Sequence, residues 1–234
     1  MTEGGRGEQT RQAILDAALA LFAERGYDKT TMRAIATEAG VSVGNAYYYF
    51  GSKEHLIQGY YDQIQERHAE AARAALAGSD DLAVRLSGVL HAWLDVAQPY
   101  QGFATQLFRT AADPRSPLSP FSADSSPARE RAVATMREAV EGSSIGLDPA
   151  LRPSLPHLLW LLQMGLVLFW VYDDSPGARR SRELVDGLVP LVVRVLRLSR
   201  LRVLRGTTAD LLALLGRLGL PSAEPDGGGA RPSR

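Results

Sequence analysis

The sequence predicts an all-α fold, and three observations support this. Apolar residues recur at helical spacing along nearly all of the stretch from Gln9 to Gly219. Glycine, proline and residues that favour helix N-caps separate the periodic segments, and no stretch alternates apolar and polar residues as a strand does. With 234 residues and a hydrophobic share of 45%, the chain can bury a substantial core in one or two domains.

The first four predicted helices are closely spaced. The first begins at Gln9 and is ended by Gly26. Two short helices follow, Thr31–Ala39 and Ser42–Tyr49, joined by a tight turn at Gly40 and Val41. The fourth begins after Ser52 and continues to Ala77. Two short helices joined by a tight turn form the helix-turn-helix layout, whose second helix enters the major groove of DNA.

The second of these short helices carries several aromatic residues. Ala46 and Phe50 are four residues apart and are expected to face inward, which leaves Tyr47 and Tyr48 on the opposite face. Two neighbouring exposed tyrosines form an apolar surface that indicates a binding partner. A tyrosine can contact the sugar and donate a hydrogen bond to the phosphate of a DNA backbone. The alternative is that all the aromatic residues are core, but one short helix cannot bury every side.

The segment from Thr10 to Ile57 (TRQAILDAALALFAERGYDKTTMRAIATEAGVSVGNAYYYFGSKEHLI) resembles the DNA-binding segment of TetR-family transcriptional regulators of the AcrR-like type. The shared features are Phe-x-x-x-Gly-Tyr, Thr-Thr, Ile-Ala, Gly-Val-Ser, Tyr-x-Tyr-Phe and Lys-Glu, in that order. The resemblance implies phosphate contacts by Thr31, Tyr47 and Lys53. The N-terminus of the third helix, at Ser42, is expected to lie near the DNA backbone as well. It implies a base-reading face formed by Val43, Gly44, Asn45 and Tyr48, with Arg33 as an outlying contact. Ala46 departs from the pattern, because the family usually has a larger aliphatic residue there.

The chain divides into four segments on this basis. Residues 1–8 are a flexible N-terminus, 9–52 a helix-turn-helix DNA-binding domain, 53–219 a helical ligand-binding and dimerisation domain, and 220–234 a disordered tail. After the long fourth helix we expect these further helices: Asp81–Ala97, Gly102–Ala112, Pro127–Glu141, Ser154–Tyr172, Arg179–Arg205 and Thr208–Leu218. Asp113–Pro127 and Asp173–Gly177 are rich in turn residues and predict loops.

The resemblance also implies a homodimer that binds a palindromic double-stranded DNA operator, most often as a ligand-responsive repressor. The dimer interface would be formed by the last two long helices, within Leu155–Tyr172 and Arg179–Arg205. Leu155–Tyr172 is apolar on nearly all sides, which indicates burial rather than a membrane span, because His157 and Gln163 interrupt it and a span needs about 20 apolar residues. We therefore expect no membrane interaction.

A small apolar or aromatic effector is expected to bind between the long fourth helix and the helices after it. The pocket residues proposed on this basis are aromatic or polar side chains at helical spacing: Tyr61, His68, Trp93, Phe103, Gln106, Phe108, Trp160, Gln163 and Met164. The alternative for any one of the aromatic residues is that it belongs to the core.

Composition limits the other functions. The chain has no cysteine and its four histidines are scattered, so we expect no metal and no cofactor. The polar N-terminus is no signal peptide, which favours a cytoplasmic protein. The sequence Gly40–Gly44 matches the Gly-x-Ser-x-Gly motif of serine hydrolases but lacks the preceding strand, so an enzyme is not expected. A helical adaptor without DNA binding is a further alternative, as is a basic membrane-surface helix formed by Arg194, Arg197, Arg200, Arg202 and Arg205.

Charge gives the main argument against DNA binding. Between Met1 and Tyr60 there are six basic and seven acidic residues, so the usual basic footprint of a DNA-binding domain is missing. Helix N-termini pointing at the DNA backbone would supply positive potential in place of charged side chains. The sequence therefore predicts DNA binding with a shallow salt dependence.

Overall fold

The computed structural model describes residues 3–113 and 115–200, together with residues 210, 213, 214 and 217. Within these residues every regular element is helical, as the sequence predicts. The α-helices are α1 (Glu3–Arg25), α2 (Met32–Glu38), α3 (Val43–Tyr49), α4 (Lys53–Ala77), α5 (Leu82–Ala97), α6 (Gln101–Ala111), α7 (Ser126–Glu141), α8 (Leu155–Val171) and α9 (Arg179–Leu198). Short 3-10 turns precede α6 and α9, at Gln98–Tyr100 and Pro176–Ala178.

Helices α1–α3 form the N-terminal unit. Gly26 and Gly40 have φ angles of 85° and 68°, which only glycine adopts without strain, and they end α1 and turn the chain between α2 and α3. The core of this unit comes from the apolar stripe of α1, with Ile35 from α2 and Ala46 and Phe50 at α3. Side-chain caps fix the start of each following helix, because the hydroxyls of Thr31, Ser42 and Ser52 accept hydrogen bonds from Ala34 N, Asn45 N and His55 N.

Helix α4 joins the N-terminal unit to the helices of the body. Leu56, Ile57 and Tyr60, near its start, are buried in the same core as α1–α3. Ala72 and Leu76, near its end, are buried in the core of the body, which is formed mainly by α5, α7, α8 and α9. A displacement of α4 would therefore change the packing of both cores.

Helix α6 also packs against the N-terminal unit, although it belongs to the body. The ring of Phe103 stacks on Phe22 of α1 with centroids 5.6 Å apart, and it meets the ring of Tyr60 edge-on at 5.4 Å. Leu107 and Ala111, one and two turns further along, are buried in the same core. The N-terminal unit is thus held by two helices of the rest of the chain.

Two helix ends differ from the sequence prediction. Helix α1 begins at Glu3, so the described part of the segment predicted to be a flexible N-terminus is helical; Thr10 donates a hydrogen bond to Arg6 O there. Helix α9 continues through Pro190 to Leu198. The helix therefore ends before the predicted Arg205, because Ser199 and Arg200 form a turn. Residues 201–205 lie outside the described residues, as does most of Thr208–Leu218. None of the described helices is long and apolar enough to cross a membrane.

Candidate nucleic-acid interface and ligand cavity

Helix α3 has one buried and one exposed face. Ala46 and Phe50 are almost completely buried, whereas Tyr47 and Tyr48 expose 51% and 81% of their surface. The ring of Tyr48 meets Tyr49 edge-on with centroids 5.2 Å apart, which holds it at the surface. The separation of inward and outward residues is the one that the sequence predicts.

The other residues predicted to read bases lie around the same surface. Gly44 and Asn45 are exposed, and the Asn45 side chain makes no hydrogen bond within the described part of the chain. Val43 is half-buried because it packs against the core of the N-terminal unit. Arg33, on α2, is exposed and has no ion pair with any described residue. These side chains are therefore available to a partner, with Val43 contributing only part of its surface.

The residues predicted to contact phosphates are held by local hydrogen bonds. The hydroxyl oxygens of Thr31 and Ser42 accept the cap bonds at 3.2 Å and 3.1 Å, which leaves each hydroxyl proton free to donate. Lys53 donates from Nζ to the carbonyl oxygen of Tyr27 at 2.8 Å, and its ammonium lies 4.3 Å from the centroid of the Tyr27 ring. The ammonium keeps further N–H donors for a partner.

Tyr27 and Glu54 form a second link beside Lys53. The Tyr27 hydroxyl donates to Glu54 Oε1 at 2.9 Å. Burial, followed by this hydrogen bond and the charge of Glu54, raises the pKa of Tyr27. The pKa of Glu54 is lowered, because hydrogen bonds from Ser52, its own backbone N–H and Tyr27 outweigh the opposing effect of burial. Together these contacts fix the start of α4 to the turn after α1.

A cavity of about 710 Å³ lies between α4, α6, α7 and α8. Its wall is mainly apolar and aromatic, as is typical of sites for small organic molecules of this size. The larger side chains on the wall are Tyr60, Tyr61, Ile64, Gln65, Trp93, Leu107, Phe108, Phe121, Arg129, Trp160, Met164, Val167, Leu168, Trp170 and Val171. Alanine, glycine, serine and proline complete it.

Five of the residues proposed from the sequence for the effector pocket lie on this wall: Tyr61, Trp93, Phe108, Trp160 and Met164. Three others lie elsewhere. His68 is buried between α4 and α5, where Nε2 is 2.9 Å from the carbonyl oxygen of Val89. Phe103 turns toward α1, and Gln163 is fully buried with no hydrogen bond to its side-chain amide. Gln106 lies in α6, outside the residues whose side chains the structure describes.

Gln65 and Arg129 are polar wall residues that the sequence did not single out. Each lies on an amphipathic helix, and a polar residue on such a helix is usually expected to face the solvent. The small residues offered a better signal, because side chains such as Ala104, Ala128 and Ala132 leave space between packed helices. Their spacing marks the walls of the cavity on α6 and α7.

Large apolar side chains are also exposed on the two last helices, α8 and α9, which pack against each other. They follow helical spacing on both helices, so they form one stripe on each. The stripe residues are Leu168, Phe169 and Tyr172 at α8 and Leu191, Val195 and Leu198 on α9. Exposed apolar patches of this kind mark interaction surfaces.

Two family models match the chain and together cover most of it. The first, described as "Bacterial regulatory proteins, tetR family", matches residues 14–60. The second, described as "Tetracyclin repressor-like, C-terminal domain", matches residues 85–211, which is more than half of the chain.

Sequence similarity to individual regulators is confined to a shorter segment. The chain is 46% identical over 71 residues to the HTH-type transcriptional repressor KstR of Mycolicibacterium smegmatis, which is 30% of this chain and 35% of that one. It is 40% identical over 68 residues to the HTH-type transcriptional regulator TtgR of Pseudomonas putida, covering 29% and 32% of the two chains. The matches thus span about a third of the length of these relatives.

Solved structures resemble most of the fold. A TetR-family regulator from Syntrophomonas wolfei aligns with a TM-score of 0.63 at 18% identity, over 80% of this chain and 95% of that one. A regulator from Nitrosomonas europaea aligns with a TM-score of 0.60 at 22% identity, over 77% and 96%. At such low sequence identities, the structural similarity establishes only the fold. The family models establish the family: the chain belongs to the TetR family of bacterial regulatory proteins.

Proposed function

We propose that this protein is a ligand-responsive transcriptional repressor of the cytoplasm, without enzymatic activity, that binds a palindromic operator as a homodimer. The observation that carries the proposal is the two-sided character of α3, with Ala46 and Phe50 buried beneath exposed Tyr47 and Tyr48. A helix anchored in this way can enter a major groove, where Asn45 and Tyr48 reach base edges. Tyr47, Thr31 and Lys53 would then contact the adjacent phosphates.

The apolar stripes of α8 and α9 support the homodimer. Tyr172 and Val195 each expose 66% of their surface, a costly arrangement for a monomer in water. Two-fold pairing of these helices with those of a second copy would bury both stripes in one self-complementary interface. It would also place two copies of α3 at a fixed separation, which is the reason for a palindromic operator.

The cavity supports a response to a small molecule. Tyr60 and Ile64 of α4 and Leu107 of α6 line the cavity and also belong to the core of the N-terminal unit. A ligand that favours one arrangement of these side chains therefore shifts α4 and α6 relative to α1. We propose that the shift alters the separation of the two α3 helices and lowers affinity for the operator.

The alternative of a hydrolase based on Gly40–Gly44 has no support from the fold. That segment joins α2 to α3, so a helix precedes the serine where the hydrolase motif needs a strand. Ser42 caps α3 by accepting a hydrogen bond from Asn45 N. A structural role accounts for this serine.

Substitution of the exposed tyrosines tests the proposal. Fragments of the source genome that the purified protein retains serve as labelled DNA for fluorescence anisotropy. Tyr47→Ala and Tyr48→Ala should each weaken binding about tenfold or more, because each removes a contact made by both subunits. Val84→Ala is the control, since Val84 is an exposed apolar residue on α5 that belongs to neither α3 nor the cavity wall. Unchanged affinity in both tyrosine variants, with native circular dichroism, would refute the assignment of α3.

A further inference from the structure

Among the residues whose side chains the structure describes, the cavity wall carries one cation, Arg129 on α7. The rest of this wall is mainly apolar and aromatic. Arg129 Nη1 donates to the carbonyl oxygens of Pro120 at 2.8 Å and Ser122 at 3.0 Å. These two bonds use both protons of Nη1 and fix the orientation of the guanidinium against the loop that precedes α7.

The other edge of this guanidinium is unused. Nε–H and Nη2–H form a planar fork that matches the two oxygens of a carboxylate, and neither atom has a hydrogen-bond partner among the described residues. Within the same residues, no carboxylate lies within 4.0 Å of Arg129. Arg131, two positions along the same helix, contrasts with it, because its Nη1 lies 2.6 Å from Asp62 Oδ1.

Some of the other polar groups of the wall are hydrogen-bonded within the protein. The Tyr61 hydroxyl donates to Leu118 O at 3.1 Å, and Ser125 Oγ is hydrogen-bonded within the loop before α7. Gln65 Oε1 is buried without a partner. The Tyr60 hydroxyl and the indole N–H groups of Trp93 and Trp160 also make no hydrogen bond with a described residue. The described part of the wall therefore offers one cationic fork, one buried acceptor and three single donors among aromatic and aliphatic side chains.

From this geometry we infer that the ligand of the cavity is an amphipathic monocarboxylic acid. Its carboxylate binds the Nε–Nη2 edge of Arg129, its apolar or aromatic body lies against Trp93, Trp160 and Phe108, and a hydroxyl or N–H group of the ligand donates to Gln65. The inference rests on the proposed function, because it takes the cavity to be the effector site, and it specifies the chemical class of effector.

The protein carries its own probe for this inference. All three of its tryptophans, Trp93, Trp160 and Trp170, lie on the cavity wall. Their fluorescence therefore reports occupancy of the cavity. The probes are decanoic acid and 4-phenylbutanoic acid, each paired with its methyl ester, and titrated at pH 7.5 below the concentration at which they aggregate.

We expect each acid to bind at least tenfold more tightly than its ester. Arg129→Gln should lower affinity for the acids about 10- to 100-fold and leave that for the esters unchanged. Arg129→Lys keeps the charge but loses the fork, so it should fall between the two. Arg131→Gln is the matched control on the same helix and should bind the acids as the native protein does. Circular dichroism melting of each variant checks that the loss of the Pro120 and Ser122 bonds has not unfolded the chain.

Equal affinity for acid and ester in the native protein would overturn the inference, as would full retention of acid binding by Arg129→Gln. Esters that bind and release operator DNA while acids do neither would overturn it and leave the proposed function standing. No change of tryptophan fluorescence with any of the four compounds would overturn it as well. Operator binding by the protein, and its loss in Tyr48→Ala, judge the proposed function separately.

Discussion

Replacement of Arg85 by methionine should destabilise the protein more than the same replacement of an exposed arginine. Arg85 is a buried cation at the junction of α4, α5 and α7, and no carboxylate pairs with it in the described part of the chain. Its guanidinium donates to backbone carbonyl oxygens at the ends of two helices: Leu76 and Ser79 at the end of α4, and Glu138 and Ala139 at the end of α7. The partial negative charges of these helix ends balance the cation.

The size of the effect follows from these bonds. A hydrogen bond to a charged group contributes about 1.5–3 kcal/mol, and a buried acceptor left without a partner costs about 1–3 kcal/mol. Some of the four carbonyls lie near the surface and can bind water in the variant. We therefore expect Arg85→Met to lower the free energy of unfolding by about 3 kcal/mol, or the melting temperature by about 6–12 °C for a chain of this size.

Urea denaturation followed by circular dichroism measures the change, with both proteins at the same concentration because the proposed dimerisation would contribute to stability. Arg137→Met is the matched control, since Arg137 is an exposed arginine on α7 without a hydrogen bond to any described residue. It should change stability by no more than about 0.5 kcal/mol. A loss below about 1 kcal/mol in Arg85→Met would show that the helix ends do not depend on this arginine.

Three further predictions concern pH, assembly and salt. Burial lowers the pKa of His68, although the hydrogen bond to Val89 O opposes the shift. His68 therefore takes up its proton at higher pH in the unfolded chain than in the folded one, so the free energy of unfolding should fall as pH drops below about 6.5. His68→Gln should reduce this pH dependence in urea melts between pH 7 and 5. Val195→Glu places a charge in the exposed stripe of α9. We expect it to convert the proposed dimer to a monomer in light scattering at micromolar concentration, whereas a dimer that persists would place the interface elsewhere. The logarithm of operator affinity should fall with the logarithm of salt concentration at a slope shallower than about −9, the value for ten neutralised phosphates.

The N-terminal unit could be predicted closely because its signals are local. Ser42 and Ser52 cap the helices that follow them, and Gly26 and Gly40 end the helices before them. Inward and outward residues on α3 follow from the spacing of Ala46 and Phe50 alone. Each of these features is decided within four or five residues of the chain.

The cavity wall depends on how distant helices pack, and helical spacing leaves several orientations open. His68 and Phe103 have the spacing of wall residues, but His68 turns toward α5 and Phe103 toward α1. Arg129 and Arg131 are two arginines on the same helix, and the sequence does not distinguish them. In the structure, Arg129 lines the cavity and donates to Pro120 and Ser122, whereas Arg131 forms a surface ion pair with Asp62. Contacts of this kind cannot be predicted from the few residues on either side of each arginine.

Footprinting of the protein on DNA fragments selected from the source genome tests the central claim most directly, with stoichiometry measured by light scattering on the same complex. The account predicts two protected half-sites related by a palindrome, with centres one or more helical turns apart and two protein chains bound per pair. Protection of a single isolated half-site by one chain, or no retained fragment at all, would contradict it.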